Sequence, residues 1–324
     1  MLSELKEGET LKKKYVRVPR RQKHKRLKTL RNLVVGSILS PAYLLLAQLY
    51  GVPGIWLRLQ CALLGLRLLF RGKTEVTYSE IFRLLLWPMD STRYFEFDFV
   101  WNSLFQSSVR YYLDVSSPRL FPIVLLIKST GIDAELVNPD GRDLKDTAAL
   151  VQACELDSRC QLREVSIEDA PFAPRSFDLI TSISVVEHIP EDKAALSKMW
   201  ELLRPGGRLL LSVPCAAIAE EQHLDIDHFG LQVPTDNGFF FHQYIYDQDL
   251  ITERFYKVLG SPTRFAVYGE KKAGTLLRGL IKKWSGQDYP FWKEPYAMAR
   301  EFRQYERISD LPGEGVIMME FVKG

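Results

Sequence analysis

Two histidines and several short polar runs stand where this 324-residue chain could do chemistry. Glu187-His188 follows the apolar run Phe177–Ile183. A histidine so placed can take a proton from a hydroxyl or an amine. His228 belongs to a compact group with His223, Asp225 and Asp227, all residue types that ligate metals. Their alternation fits no helix face, so a loop would have to converge them. A solvated loop on the substrate side accounts for the group better, and we expect no metal. His188 and His228 are the candidate catalytic residues. Leu113-Asp114-Val115-Ser116-Ser117-Pro118 closes another apolar run with a carboxylate and two hydroxyls. Asn138-Pro139-Asp140 and Ser166-Ile167-Glu168-Asp169 end two more.

These residues need elements to hold them. Strands are expected over 109–115, 134–137, 162–167, 177–183 and 208–213. They alternate with helices over 118–129, around 143–153 and over 191–203. Ser117 suits a helix cap and Pro118 the first helical position. Strand, helix, strand, helix predicts an α/β fold with a doubly wound, Rossmann-like sheet, in which ligands sit at the carboxyl ends of the strands. Asp114, Ser116, Ser117, Asn138, Asp140, Ser166, Ile167 and Ser184 fall at those ends, and so does His188. Past 215 come the aromatic run 239–246, which suits either a roof over the site or a core strand, and a helix over 247–254.

The stretch SIEDAPFAPRSFDLITSISVVEHIPEDKAALSKMWELLRPGGRLLLSVP resembles the second half of class I S-adenosylmethionine-dependent methyltransferases. An acidic turn, a Pro-Phe pair, Ser-Phe-Asp opening a strand, Glu-His closing it and Leu-Arg-Pro-Gly-Gly all occur in order. The resemblance covers about residues 110–215. It implies S-adenosylmethionine as cofactor, with the loop after Asp114 at its methionine end, Asn138 or Asp140 at the ribose, and Ser166 and Ile167 at the adenine. Asp178 is typical of the family at the start of its strand and reads as structural. The first half departs from the family pattern. Leu113-Asp114-Val115 is intact, but Ser116, Pro118 and Leu120 stand where three glycines usually stand, and Asn138 stands at or beside the acid that accepts the ribose hydroxyls. A Ser-Ser-Pro helix start could still receive a carboxylate.

The charge is uneven. Residues 1–31 carry twelve Lys/Arg and three Glu, whereas the rest carries 31 basic and 37 acidic residues. Segment 12–31 has eleven basic residues and no acid, so alone it should be disordered by self-repulsion. Residues 32–57 lack charge, but Pro41, Gly51, Pro53 and Gly54 interrupt them. Three readings fit residues 32–70: a transmembrane helix, a membrane-dipping helical pair lying in the interface, or soluble helices capping the main domain. The positive-inside rule puts the basic tail in the cytosol. The four cysteines form no CxxC pair, and the charged N-terminus does not resemble a signal peptide, so a reducing compartment is expected. We therefore expect a basic tail (1–31), an apolar helical extension (32–105) and a methyltransferase-like domain (106–324) with a substrate-side region from about 215. The expected function is methyl transfer to a small or lipid- or glycan-linked acceptor on the cytosolic side, with peripheral membrane contact through 12–70. The altered loop also suits a non-catalytic binding or scaffold module. A nucleic-acid methyltransferase would explain the tail, but the acidic body and the lack of a recognition motif argue against nucleic acid.

Overall fold

The structure, a computed structural model, describes residues 11–18, 26–72, 75–89, 91–104, 108–284 and 291–324, with the side chains of 26–33 and 280–284 outside that set. The described chain begins with strand β1 (Lys12–Val16) and helices α1 (Arg26–Leu49), α2 (Ile55–Arg71), α3 (Tyr78–Leu86) and α4 (Arg93–Leu104). The α/β unit follows as β2 (Tyr111–Val115), α5 (Leu120–Lys128), β3 (Asp133–Val137), α6 (Gly141–Ala153), β4 (Cys160–Arg163), β5 (Phe177–Ile183), α7 (Asp192–Leu202) and β6 (Leu203–Cys215). Then come β7 (Glu220–Leu224), β8 (Phe240–Ile245), α8 (Gln248–Ile251), α9 (Lys257–Leu259), β9 (Arg264–Glu270), α10 (Thr275–Trp284), α11 (Glu294–Glu301), β10 (Phe302–Tyr305) and β11 (Gly315–Val322).

The main sheet runs β10-β9-β11-β6-β5-β2-β3-β4. Strands β2 to β6 are mutually parallel, and β11 lies antiparallel between β6 and β9. Burial on both faces explains the nearly continuous apolar strands: β5 and β6 have Leu179, Ile180, Leu209, Leu210 and Leu211 fully buried. The chain winds from β2 toward β3 and β4 on one side, then returns to β5 and β6 on the other. The carboxyl ends of β2 and β5 thus flank the switch point, where doubly wound sheets bind ligands. Asp178 fixes this junction. Its carboxylate accepts the Arg110 and Tyr111 amides at 3.0 and 2.8 Å and the Arg204 guanidinium at 2.9 Å.

Several expectations need correction. The third parallel strand, expected over 162–167, is Cys160–Arg163, because pairing with β3 stops at Arg163 and Val165 already turns back on it. Ser117 does not cap a helix. α5 starts at Leu120, and the Ser117 hydroxyl instead accepts the Ile183 amide at 3.0 Å. Pro41 does not break α1, which runs through it from Arg26 to Leu49; Gly51 and Gly54, at φ 69° and 74°, separate α1 from α2.

The basic tail is also not wholly disordered. Residues 1–10 and 19–25 lie outside the described set, but β1 pairs in parallel with β7 in a second sheet, β1-β7-β8. The self-repulsion of Lys12, Lys13 and Lys14 is offset by Glu220 and Glu221, 2.8–3.9 Å away. The expected domain boundary near 105 falls on undescribed residues (105–107). Across it, helices and sheet share one core, with Leu57, Tyr94, Phe97, Phe121 and Leu179 in the same buried cluster. Helix α4 is buried nearly all round, so it cannot belong to a detached appendage.

Candidate active site

A cleft of about 1000 Å³ opens at the carboxyl ends of β2, β3, β4 and β5. Ser116, Ser117, Asn138, Asp140, Ser166, Ile167, Ser184, His188 and His228 all line it. Asp114 does not. It is buried beneath the loop, where its carboxylate accepts the Ser117 amide at 3.1 Å and the Thr181 and Tyr112 hydroxyls at 2.7 and 3.0 Å. Burial pushes its carboxyl up to about 6 despite those three donors. Asp114 holds the loop in shape and cannot reach a ligand.

The loop keeps a glycine-like course without glycine. Ser116 adopts φ 52°, and both its amide and its hydroxyl donate to the Val137 carbonyl, at 2.9 and 3.1 Å. An L-residue pays roughly 1–2 kcal/mol for this conformation, which the two bonds offset. Ser116→Gly is therefore expected to leave the fold intact. Ser116→Val, which adds branching and removes the hydroxyl, should cost about 2 kcal/mol in a denaturant titration.

On the β3 side, Asn138 accepts the Asp140 amide at 2.9 Å and donates to Asp143 at 3.1 Å. Asp140 caps α6 and grips Arg142, whose guanidinium also reaches the Phe229 carbonyl. The β3 end is thereby tied to the loop that carries His228. Ser166 donates to Asp169 at 3.0 Å, and Ile167, buried in the wall beside it, lines the cleft.

The opposite wall contains groups that sequence reasoning missed. Arg93 lines the cleft and donates to Glu96 at 2.6 Å and to Ser184 at 2.5 Å. Glu96 is fully buried and also accepts the Ser184 and Ser212 hydroxyls. The Arg-x-x-Glu spacing on an aromatic helix was a legible signal for an ion pair, but not for one aimed into the cleft. Ser184, at φ 48°, is held by this pair. Glu187 is buried, with one carboxylate oxygen lacking a partner. Burial pushes it up to about 8, with the Glu96 charge adding to that and Arg93 opposing it.

His188 carries the clearest chemical instruction. Its Nδ1 lies 2.6 Å from the His242 carbonyl oxygen. A carbonyl can only accept, so Nδ1 holds the proton and Nε2 keeps its lone pair. Burial lowers the ring to about 4, as do the nearby Arg93 and His228 charges, so it is neutral at pH 7. Nε2 stands 3.8 Å from Glu187. His242, Phe229 and His228 pack around it, with His188–His242 and His188–Phe229 ring centroids at 5.1 and 4.8 Å. Burial brings His242 down to about 3. The His223, Asp225, Asp227 and His228 side chains do not converge. His223 pairs with Glu221 at 2.7 Å, Asp225 accepts the Val18 amide, Asp227 accepts three loop amides, and His228 alone of the four reaches the cleft.

Glu187 makes stability depend on pH. Its pKa is raised on folding, so the stability it contributes is fully present below about 4.5 and is lost as pH rises through about 8. Between pH 6.5 and 8 this amounts to about 2 kcal/mol. Denaturant midpoints should fall across that window, and Glu187→Gln should flatten the decline.

A methyltransferase-domain family model matches residues 127–211. The chain is 28% identical over 88 residues to a ubiquinone biosynthesis O-methyltransferase of Dechloromonas aromatica, covering 26% of this chain and 38% of that protein. It is 30% identical over 106 residues to the ubiquinone/menaquinone biosynthesis C-methyltransferase UbiE of Geotalea daltonii, covering 32% and 45%. Residues 127–211, about a quarter of the chain, are thus similar to a methyltransferase domain. Over the curated relatives it matches, it covers between 26% and 45% of their length. Among solved structures, geranyl diphosphate C-methyltransferase from Streptomyces coelicolor A3(2) aligns at TM-score 0.46 and 13% identity, over 76% of this chain and 80% of that one.

The match to the methyltransferase domain begins at residue 127, past the glycine-poor loop. Class I methyltransferase domains take S-adenosylmethionine, and the residues present fit it. The left-handed turn at Ser116 preserves the open backbone course. Arg93 supplies a cation suited to the methionine carboxylate. Asn138 and Asp143 offer polar oxygens for ribose hydroxyls, and Ile167 with Ser166 offers a face and an edge for adenine.

Proposed function

We propose that this protein transfers a methyl group from S-adenosylmethionine to a hydroxyl on a small or lipid-linked, partly apolar acceptor at the cytosolic face of a membrane. One observation carries the reading: the His242 carbonyl fixes His188 in the Nδ1–H tautomer, so that a basic nitrogen stands ready in the cleft. When bound, the cofactor supplies an electrophilic methyl group on a sulfonium. His188 Nε2 takes the acceptor proton, and the His242 carbonyl stabilises the resulting imidazolium. Glu187, protonated at neutral pH, can donate to an acceptor oxygen without competing for the proton. Phe229 and the flanking imidazoles give the acceptor an apolar wall and exclude water. The curated relatives named as ubiquinone biosynthesis O-methyltransferases support an O-acceptor. The cytosolic placement is supported by the basic N-terminus.

The test combines calorimetry with S-adenosylmethionine and S-adenosylhomocysteine and mass-spectrometric detection of methylated phenolic and aliphatic alcohols. Binding with an O-methylated product supports the proposal. No heat at high micromolar cofactor would leave a binding module built on the fold.

A further inference from the structure

The outward faces of α1, α2 and α3 expose apolar side chains in ordered stripes. On α1 these are Val34, Ile38, Leu45 and Leu49, which are 53–73% exposed. Their spacing of four, seven and four residues keeps them on one face. The inward face of the same helix is packed: Ser40 and Ala47 are buried, and a Cβ at Gly36 would sit 2.5 Å from the Phe291 ring. On α2 the exposed stripe is Leu59, Leu63, Leu66 and Phe70, up to 84% exposed, while Leu57, Cys61, Leu64 and Leu68 are buried behind it. Tyr78 and Phe82 continue the exposure onto α3. Among the described residues, fifteen of the 22 exposed large apolar side chains fall between 34 and 82, so the exposure is a local surface and not scatter.

Charge says what covers it. From residue 10 to 74 the sequence holds fifteen Lys/Arg and no acid; Lys12, Lys13, Lys14 and Arg71 are paired with Glu220, Glu221 and Glu155 and Arg58 is buried, while Arg67 is exposed on α2 beside the apolar stripe. Among the described residues no helix is long and apolar enough to cross a membrane. Apolar stripes on several helices, joined to a strongly basic segment, are what an anionic lipid surface takes up: apolar side chains enter below the headgroups while cations meet the phosphates.

We propose that the α1–α3 face is a monotopic docking surface for an anionic bilayer. The inference rests on the membrane placement above and names the surface that achieves it. A second copy of the chain is the competing occupant. It is less suited, because two such faces would bring together like charges along the same 65 residues.

The full chain is tested by flotation with phosphatidylcholine vesicles, with and without roughly one-third phosphatidylglycerol. The wild type should float with the anionic vesicles and largely remain behind with the neutral ones. Leu63→Gln/Leu66→Gln/Phe70→Gln should cut the bound fraction roughly tenfold or more, and Arg67→Glu should weaken it and flatten its salt dependence. Both variants should keep the wild-type melting temperature and the wild-type rate on a water-soluble acceptor. The proposal is overturned if the wild type stays unbound, if it binds neutral vesicles equally, or if the triple variant floats like wild type. A concentration-dependent dimer that the triple variant abolishes without lipid binding overturns it in favour of a second copy. Flotation needs no turnover, so failure of methyl transfer and failure of docking are read separately.

Discussion

His188→Gln should lower kcat/KM for methyl transfer by about 10²–10⁴-fold, with cofactor affinity nearly unchanged. Glutamine retains a donor for the His242 carbonyl, so the local fold is kept, but it cannot accept a proton. The loss therefore falls on the proton-transfer step and not on packing. Acceptors that are already ionised, such as acidic phenols at high pH, should escape most of it. In the wild type, activity should hold as pH falls through 6 and collapse only toward about 4, where His188 takes up its own proton. A variant with full activity on a neutral alcohol would remove His188 as the base. Rates that fall equally on ionised and neutral acceptors would make it a positioning residue.

Arg93→Met should destabilise the protein by about 3–5 kcal/mol and also weaken cofactor binding. Glu96 is fully buried, and after this change it would keep hydroxyl donors but no cation. The pair of changes Arg93→Met/Glu96→Gln should restore most of the stability, because a neutral amide tolerates that site. Cofactor affinity should remain at least about tenfold down, since the guanidinium facing the cleft is still missing. A chemical denaturation curve and a calorimetric titration on both variants separate the two roles. If the double variant binds the cofactor as well as wild type, Arg93 serves only to neutralise Glu96.

Much of this protein can be read from residue order alone. Buried apolar runs such as 177–183 and 208–213 require a parallel sheet, and their spacing fixes which turns lie at its carboxyl edge. Ser116, Ser117, Asn138, Ser166, Ile167, Ser184 and His188 were recognisable on that ground, because strand ends in such a sheet converge whatever the detail. The family resemblance implied that Asp178 is structural, and its bonds to the Arg110 and Tyr111 amides and to Arg204 agree. The tertiary structure decided three things that local patterns do not encode. It turned Asp114 inward, because Thr181 lies opposite it on β5 and Tyr112 sits two residues before it on the same face of β2. It gave Ser116 the left-handed turn usually left to glycine, through bonds to a carbonyl at the end of β3. It also brought Arg93 and Glu96, about 90 residues earlier in the chain, against Ser184, and drew Lys12–Lys14 onto Glu220 and Glu221. Hydrogen bonds and ion pairs between distant segments follow from how helices pack on a sheet, and that packing leaves no local periodicity. Sequence alone thus determined the sheet and the place of the cleft. The charges lining the cleft, and the nitrogen of His188 left free to act, were decided by segments that meet only in the folded chain.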